Sequence, residues 1–174
     1  MAHPEQRVFF ESVKKEMPQF FNDVSVIEIG SLDINGSVRN FYNAKRYIGV
    51  DLSEGPGVDL VGEGQDLDFS ENEFDVAVSA ECFEHNPYWL KTFINMHRMA
   101  SKFVIFTCAS TGRPEHGTTR TTPQNSPFTL KWDYYYNLTK EDFLEALNLD
   151  DMFNAYEFSY NPSSCDLYFW GVKK

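Results

Sequence analysis

Cysteine, basic residues and long apolar runs are all scarce in this chain, and each scarcity excludes something. Three cysteines in 174 residues, Cys82, Cys108 and Cys165, are odd in number and widely spaced. That argues against a disulfide framework and against a paired-cysteine metal or redox motif, so free thiols inside the fold are expected. Lys and Arg number 15 against 26 Asp and Glu, a formal charge of -11, and nowhere gather into a run. Such a surface repels a phosphate backbone, and nucleic acid is not an expected partner. No segment stays apolar long enough to cross a bilayer, and the opening Met1-Ala2-His3-Pro4-Glu5-Gln6 lacks a basic stretch leading into an apolar one. The expectation is a cytoplasmic protein with no membrane partner. Repeats, low-complexity tracts and linkers are missing too, which at this length predicts a single domain over 1–174.

Aromatic residues, by contrast, make up 16% of the chain, enough for ring-lined pockets as well as a core. Apolar runs recur at 24–29, 47–50, 58–61, 74–78 and 103–108, several too continuous for a sheet with one wet face. They predict parallel strands covered on both sides, an α/β, Rossmann-like sheet. Val8, Phe9, Val13, Met17 and Phe20 predict an opening helix bounded by Pro4 and Pro18. Between the last two runs, Asn86 and Pro87 suit a helix start, and Leu90, Phe93, Ile94 and His97 follow the helical repeat. Thr139 to Asp142 resembles a capping box ahead of Phe143, Leu144 and Leu147. From 155 to 160 and from 166 to 172 the period shortens to two around Asn161-Pro162-Ser163-Ser164, predicting a C-terminal antiparallel hairpin. Residues 112–128, rich in Thr, Pro and Gly, form the one long irregular stretch, a length usually functional or mobile.

One stretch points to chemistry. Val26-Ile27-Glu28-Ile29-Gly30-Ser31-Leu32-Asp33-Ile34-Asn35-Gly36-Ser37 reads as a strand, a sharp glycine turn and a helix start, and Tyr47-Ile48-Gly49-Val50 ends in Asp51. Gly30 lets a ligand approach the backbone, and amides near Asn35, Gly36 and Ser37 would attract a carboxylate. Asp51 can accept both hydroxyls of a ribose, while Glu28 or Asp33 would favour a nearby positive charge. Together these describe a nucleoside-cofactor site.

These residues resemble the class I S-adenosylmethionine-dependent methyltransferases, particularly the methyltransferase type 11 group. Glu28-Ile29-Gly30-Ser31 looks like the family's first motif, Asp51 like its acidic second-strand terminus, and Gly62 to Phe69 like its adenine-binding loop. Phe74-Asp75-Val76-Ala77-Val78-Ser79-Ala80-Glu81-Cys82-Phe83-Glu84-His85 looks like its fourth-strand motif ending in Glu-His. Leu32 stands where the family places a second glycine, and 52–57 is short for the customary helix. The resemblance implies S-adenosylmethionine as cofactor, with Glu63 or a neighbour on the adenine amino group, Gly64 and Gln65 against the ring, and Glu81 among the cofactor contacts.

Loops after the fourth and fifth strands should face each other across the transferred group. They offer His85 and His116 as general bases, with Glu84, Arg113 and Tyr135 as substrate contacts. Each has a plainer reading: Glu28 as a salt bridge, His85 and His116 as ordinary loop residues, and Tyr134 to Tyr136 as packing. Glu84, His85 and His116 are chemically suited to a metal but lack local ligand spacing, so none is expected. The function expected is methyl transfer to an oxygen or nitrogen of a small polar metabolite. A nicotinamide-dependent oxidoreductase and a non-catalytic cofactor-binding module are the alternatives.

Overall fold

Alternation along the strands sets the architecture. In the computed structural model, which describes residues 4–174, strands β1 (Asn22–Ile29), β2 (Asn43–Asp51), β3 (Leu60–Val61), β4 (Phe74–Ala80) and β5 (Ala100–Ala109) run parallel. The Met1-Ala2-His3 opening lies outside the described residues. β7 (Asp166–Lys173) pairs antiparallel with β5, and β6 (Phe153–Asn161) antiparallel with β7, giving the order β3-β2-β1-β4-β5-β7-β6. Val24, Val26, Val76, Val78, Phe103 and Ile105 line one face of this seven-stranded sheet; Ile27, Ile29, Ala77, Val104, Phe106 and Cys108 line the other. Because successive side chains point to opposite faces, runs this continuous must be covered twice.

The first face is covered by helix α1 (Pro4–Glu16) through Phe10 and Val13, together with Phe20, Phe21, Val38 and Phe41. Helices α2 (Trp89–Met99), α3 (Lys140–Ala146) and α4 (Leu149–Met152) cover the second face, where Phe93, Met96, Met99, Phe143 and Leu149 are buried. Thr139 and Asp142 form the expected capping box. No helix among the described residues is long and apolar enough to cross a membrane. Cys82, Cys108 and Cys165 are free thiols; Cys108 alone is fully buried.

Several expectations are corrected. The helix predicted after β1 is a single 3₁₀ turn, Val38–Phe41, capped by Ser37, whose hydroxyl accepts the Arg39 amide. Gly36 donates its amide to Asp33 Oδ1 at 2.7 Å, so the turn after β1 closes on itself before a helix can begin. The strand predicted over 58–61 shrinks to Leu60–Val61. Asn86 does not cap α2; it accepts the Tyr88 amide and donates to Thr92, leaving Tyr88 at the cap position. On α1 the buried row is Gln6, Phe10 and Val13, with Val8 exposed; on α2, Ile94 is exposed and Thr92 and Asn95 are buried. Both helices are rotated from the face that hydropathy alone selects, and on α2 the cause is polar. Asn95 donates to the Gly64 and Leu67 carbonyls, which turns that side toward the loop after β3.

Phe106 sits at the centre of the second face, with ring centroids 4.9 Å from Phe83, 5.0 Å from Phe143, 5.1 Å from Phe169 and 5.8 Å from Phe93. Replacing it by alanine leaves a cavity that four rings cannot close. Phe106→Ala is expected to lower stability by about 3–5 kcal/mol, measured as a lower urea midpoint at unchanged slope.

Candidate active site

Parallel strands end together, and the carboxyl ends of β1, β2 and β4 meet where the strand order reverses between β1 and β4. The chain leaves β1 through Gly30, whose φ of +80 suits glycine and whose amide donates to the Val50 carbonyl. A Cβ at Gly30 would lie 2.6 Å from that of Cys82, so the β1 and β4 loops approach as closely as backbone allows. Across this junction Asp51 holds two amides: Leu32 N–H donates to Oδ2 at 2.9 Å and Leu52 N–H to Oδ1 at 2.8 Å. Burial raises the Asp51 pKa above its ordinary value, and the two amide bonds pull it back. Each oxygen keeps a lone pair for a further donor.

Gly30 and Asp51 border two narrow clefts. One, of about 50 Å³, is completed by Leu32, Ile34, Glu81, Cys82, His85 and residues 125–129. The other, of about 30 Å³, is completed by Ile29, Leu52, Gly62, Gly64, Asn86, Thr129 and Trp132, among others. Both are narrow because the stretch carrying the 3₁₀ turns Pro123–Asn125 and Pro127–Thr129 lies across the mouth, with Lys131 Nζ 2.6 Å from Glu63 Oε1. A third cavity, of about 390 Å³, shares Glu81, His85 and Asn125 with the first and extends to Asn35, Arg113, Glu115, His116, Thr121 and Thr122. Its size is that of a small-ligand pocket.

The expected residues divide accordingly. Gly30, Asp51, Gly64 and Glu81 border the narrow clefts, and His85 and Arg113 reach the larger cavity together with His116. Asp33 and Gly36 shape the turn after β1 through their mutual hydrogen bond. Ser31 is buried and faces Gly49. Gln65 donates to Glu63, which also holds Lys131, so both side chains of the adenine-type loop are engaged beside the cleft while Gly64 borders it. Glu28 shares the sheet face of Val24 and Val26, buried, where Tyr47 donates to Oε2 at 2.8 Å. Arg113 donates to the Ser164 carbonyl at 2.6 Å and pairs with Asp166 at 3.3 Å and Glu81 at 4.0 Å.

At the third cavity the loops after β4 and β5 do face each other. The rings of His85 and His116 lie 5.0 Å apart at 86°, with Tyr135 5.5 Å from the first and 5.1 Å from the second. Burial, then the neighbouring His116, pushes the His85 pKa down to about 3, so its imidazole is neutral at physiological pH. His116 Nδ1 lies 3.0 Å from the Pro114 carbonyl; as the donor there, it leaves Nε2 with the lone pair. Glu84 is fully buried beneath them, and burial raises its pKa to about 7. Sequence reasoning missed Cys82, Asn125, Phe128, Thr129 and Trp132. Their signal was position within or next to the irregular 112–128 stretch and the fourth-strand motif, with no chemistry of their own.

Glu28 generates a prediction about stability. Burial lifts its carboxyl from an ordinary 4.5 to about 7, outweighing the Tyr47 bond and the Arg39 charge that lower it. The folded chain thus holds the proton more tightly than the unfolded chain, and this contribution is fully present below pH 4.5 and lost as pH rises through 7. Relative to Glu28→Gln, the unaltered chain should lose about 3 kcal/mol between pH 4.5 and 8. Urea melts across that range check it, and a difference flat with pH contradicts it.

Comparison with known proteins agrees with this geometry. Residues 30–106 match the family described as "Methyltransferase domain". No curated protein sequence matches the chain. Among solved structures, it is similar to the 1,6-didemethyltoxoflavin-N1-methyltransferase of Burkholderia thailandensis with bound 1,6-didemethyltoxoflavin and S-adenosylhomocysteine. That match has 16% identity and a TM-score of 0.63, covering 97% of this chain and 77% of that one. A Thermotoga maritima S-adenosylmethionine-dependent methyltransferase matches at 14% identity and a TM-score of 0.58, over 95% and 89% of the two chains. The Haemonchus contortus phosphoethanolamine N-methyltransferase 2, in complex with S-adenosyl-L-methionine, matches at 15% and 0.64, over 95% and 52%. In strand order and closing antiparallel hairpin the chain has the fold of these methyltransferases, and its residues 30–106 carry the methyltransferase domain pattern.

Proposed function

We propose that the chain, acting as one domain in the cytoplasm, transfers the methyl group of S-adenosylmethionine to an oxygen or nitrogen of a small polar metabolite. The observation that carries this reading is the continuity of the narrow cleft at Gly30 and Asp51 with the larger cavity at His85 and His116, through the shared Glu81, His85 and Asn125. When bound, the cofactor supplies an electrophilic methyl group on a sulfonium. The residues present suit it: Asp51 retains lone pairs for a ribose diol, Gly30 admits close backbone approach, and Gly64 borders the adenine side. Asp33, Gly36 and Ser31 shape the turn that receives the methionine end. Glu28 supports β2 through Tyr47 from the other face of the sheet, and Glu63 and Gln65 brace the adenine loop.

In the larger cavity His85 and His116 hold the acceptor, with Glu84, Arg113 and Tyr135 framing them; burial leaves His85, with a pKa of about 3, too weak a base to take the acceptor's proton. Alignment of the acceptor with the methyl group supplies most of the rate. A cavity of about 390 Å³ fits a small molecule, and a net charge of -11 disfavours a polyanion. The Burkholderia and Haemonchus proteins, complexed with 1,6-didemethyltoxoflavin and phosphomonomethylethanolamine, point the same way. Loading the cofactor requires residues 123–132 to lift, since the clefts they cover are smaller than an adenosyl group.

Calorimetric titration with S-adenosylhomocysteine tests the reading. The full chain should bind it, and Asp51→Asn, which removes the charge while keeping one acceptor oxygen, should weaken binding at least about tenfold. No binding by the full chain, or equal affinity in Asp51→Asn, overturns the assignment.

A further inference from the structure

Glu84 and His85 are consecutive and His116 comes from a separate loop, yet the three form the one group of three ligand-type side chains, among the described residues, whose donor atoms converge. One from each lies within 4.8 Å of the others, and Glu84 Oε1 is 3.9 Å from His85 Nε2. The 3₁₀ turn Phe83–His85 at the end of β4 delivers the first two, and the loop leaving β5 delivers the third.

Two independent features indicate that something is held there. First, Glu84 is 0% exposed and its carboxylate oxygens have no hydrogen-bond partner other than its own backbone amide. Buried carboxylates are normally paired or metal-bound. The guanidinium of Arg113 does not fill that role, being engaged by Asp166, Glu81 and the Ser164 carbonyl. Second, His116 Nδ1 lies 3.0 Å from the Pro114 carbonyl. Donation of the other ring N–H to a carbonyl is what orients a metal-ligating imidazole and leaves Nε2 as the donor to the metal.

We propose that Glu84, His85 and His116 bind a divalent transition metal ion at the floor of the 390 Å³ cavity. Two imidazoles and one carboxylate suit zinc, manganese, iron or cobalt. Bonds of about 2.0–2.2 Å require the donor atoms to close in by roughly 1 Å, within reach of side-chain rotation. Glu84 closes the site from beneath, whereas His85 and His116 line the cavity, so the remaining coordination positions face the acceptor space. Three protein ligands with open positions are the arrangement of a working site and not of a structural one. Resting here on the methyl-transfer reading, the favoured acceptor is one that presents two adjacent oxygen atoms to the ion, one of them methylated. Metal binding itself does not depend on that reading.

Cobalt(II) titration of the metal-stripped full chain, followed by visible absorption, tests the proposal. One equivalent should bind with d–d bands of a four- or five-coordinate ion, and zinc should displace it. Glu84→Gln and His116→Ala should each weaken binding by more than about a hundredfold, beyond the roughly 10–100-fold that loss of an outer-shell partner costs. His116 is partly exposed in a loop, so His116→Ala keeps the experiment readable if Glu84→Gln fails to fold. Absence of the bands in the unaltered chain, or unchanged binding in folded His116→Ala, overturns the site. Binding of S-adenosylhomocysteine by the same samples shows whether the cofactor assignment stands regardless of the metal result.

Discussion

The carboxylate of Asp51 fastens the end of β2 to the turn leaving β1 by accepting the Leu32 and Leu52 amides. Everything at the cleft depends on that clasp. It fixes where Gly30 sits relative to the loop of Cys82, and thereby how widely β1 and β4 part at the point where the strand order reverses. A carboxylate at this position is desolvated, which raises its pKa, and two amide donors keep it from being an uncompensated burial. Structural bond and ligand-binding capacity occupy the same two oxygens. Removing the whole side chain would disturb both, and the amide isostere would keep one of the two amide bonds while setting its NH2 against the other backbone donor.

Most of the sheet was legible because burial on both faces writes itself into sequence as continuous apolar runs, and the hairpin because its period shortens to two. The first-motif helix was not legible. Asn35-Gly36-Ser37 has the composition of a helix start, but Asp33 captures the Gly36 amide and the chain must reach Asn43 to begin β2, leaving room for one 3₁₀ turn. Asn95 illustrates a second limit. A polar residue in a hydropathy pattern counts against burial, yet here it is buried because two carbonyls of the 62–67 loop await its amide.

At the candidate site, the glycine turn, Asp51 and the two histidine loops could be placed from strand ends alone. Two other features depended on tertiary approach and left no local signal. One is the lie of residues 123–132 across the cleft, held through Lys131 and Glu63 across 68 positions of chain. The other is the convergence of His116 on Glu84 and His85. Consecutive residues on a 3₁₀ turn and a third residue from the next strand's loop have no spacing that a motif could capture. The two features are linked, since Asn125 borders both the covered cleft and the histidine cavity. Lifting of that segment would therefore open the two spaces together, admitting cofactor and acceptor to one continuous site.

A crystal structure of the full chain with S-adenosylhomocysteine tests the central claim most directly. The account predicts ribose hydroxyls within hydrogen-bond distance of both Asp51 oxygens, residues 123–132 displaced from the cleft, and the sulfur facing His85 across the shared wall. A ligand bound away from Asp51, or an adenosyl group whose sulfur is sealed off from the His85 and His116 cavity, would contradict it.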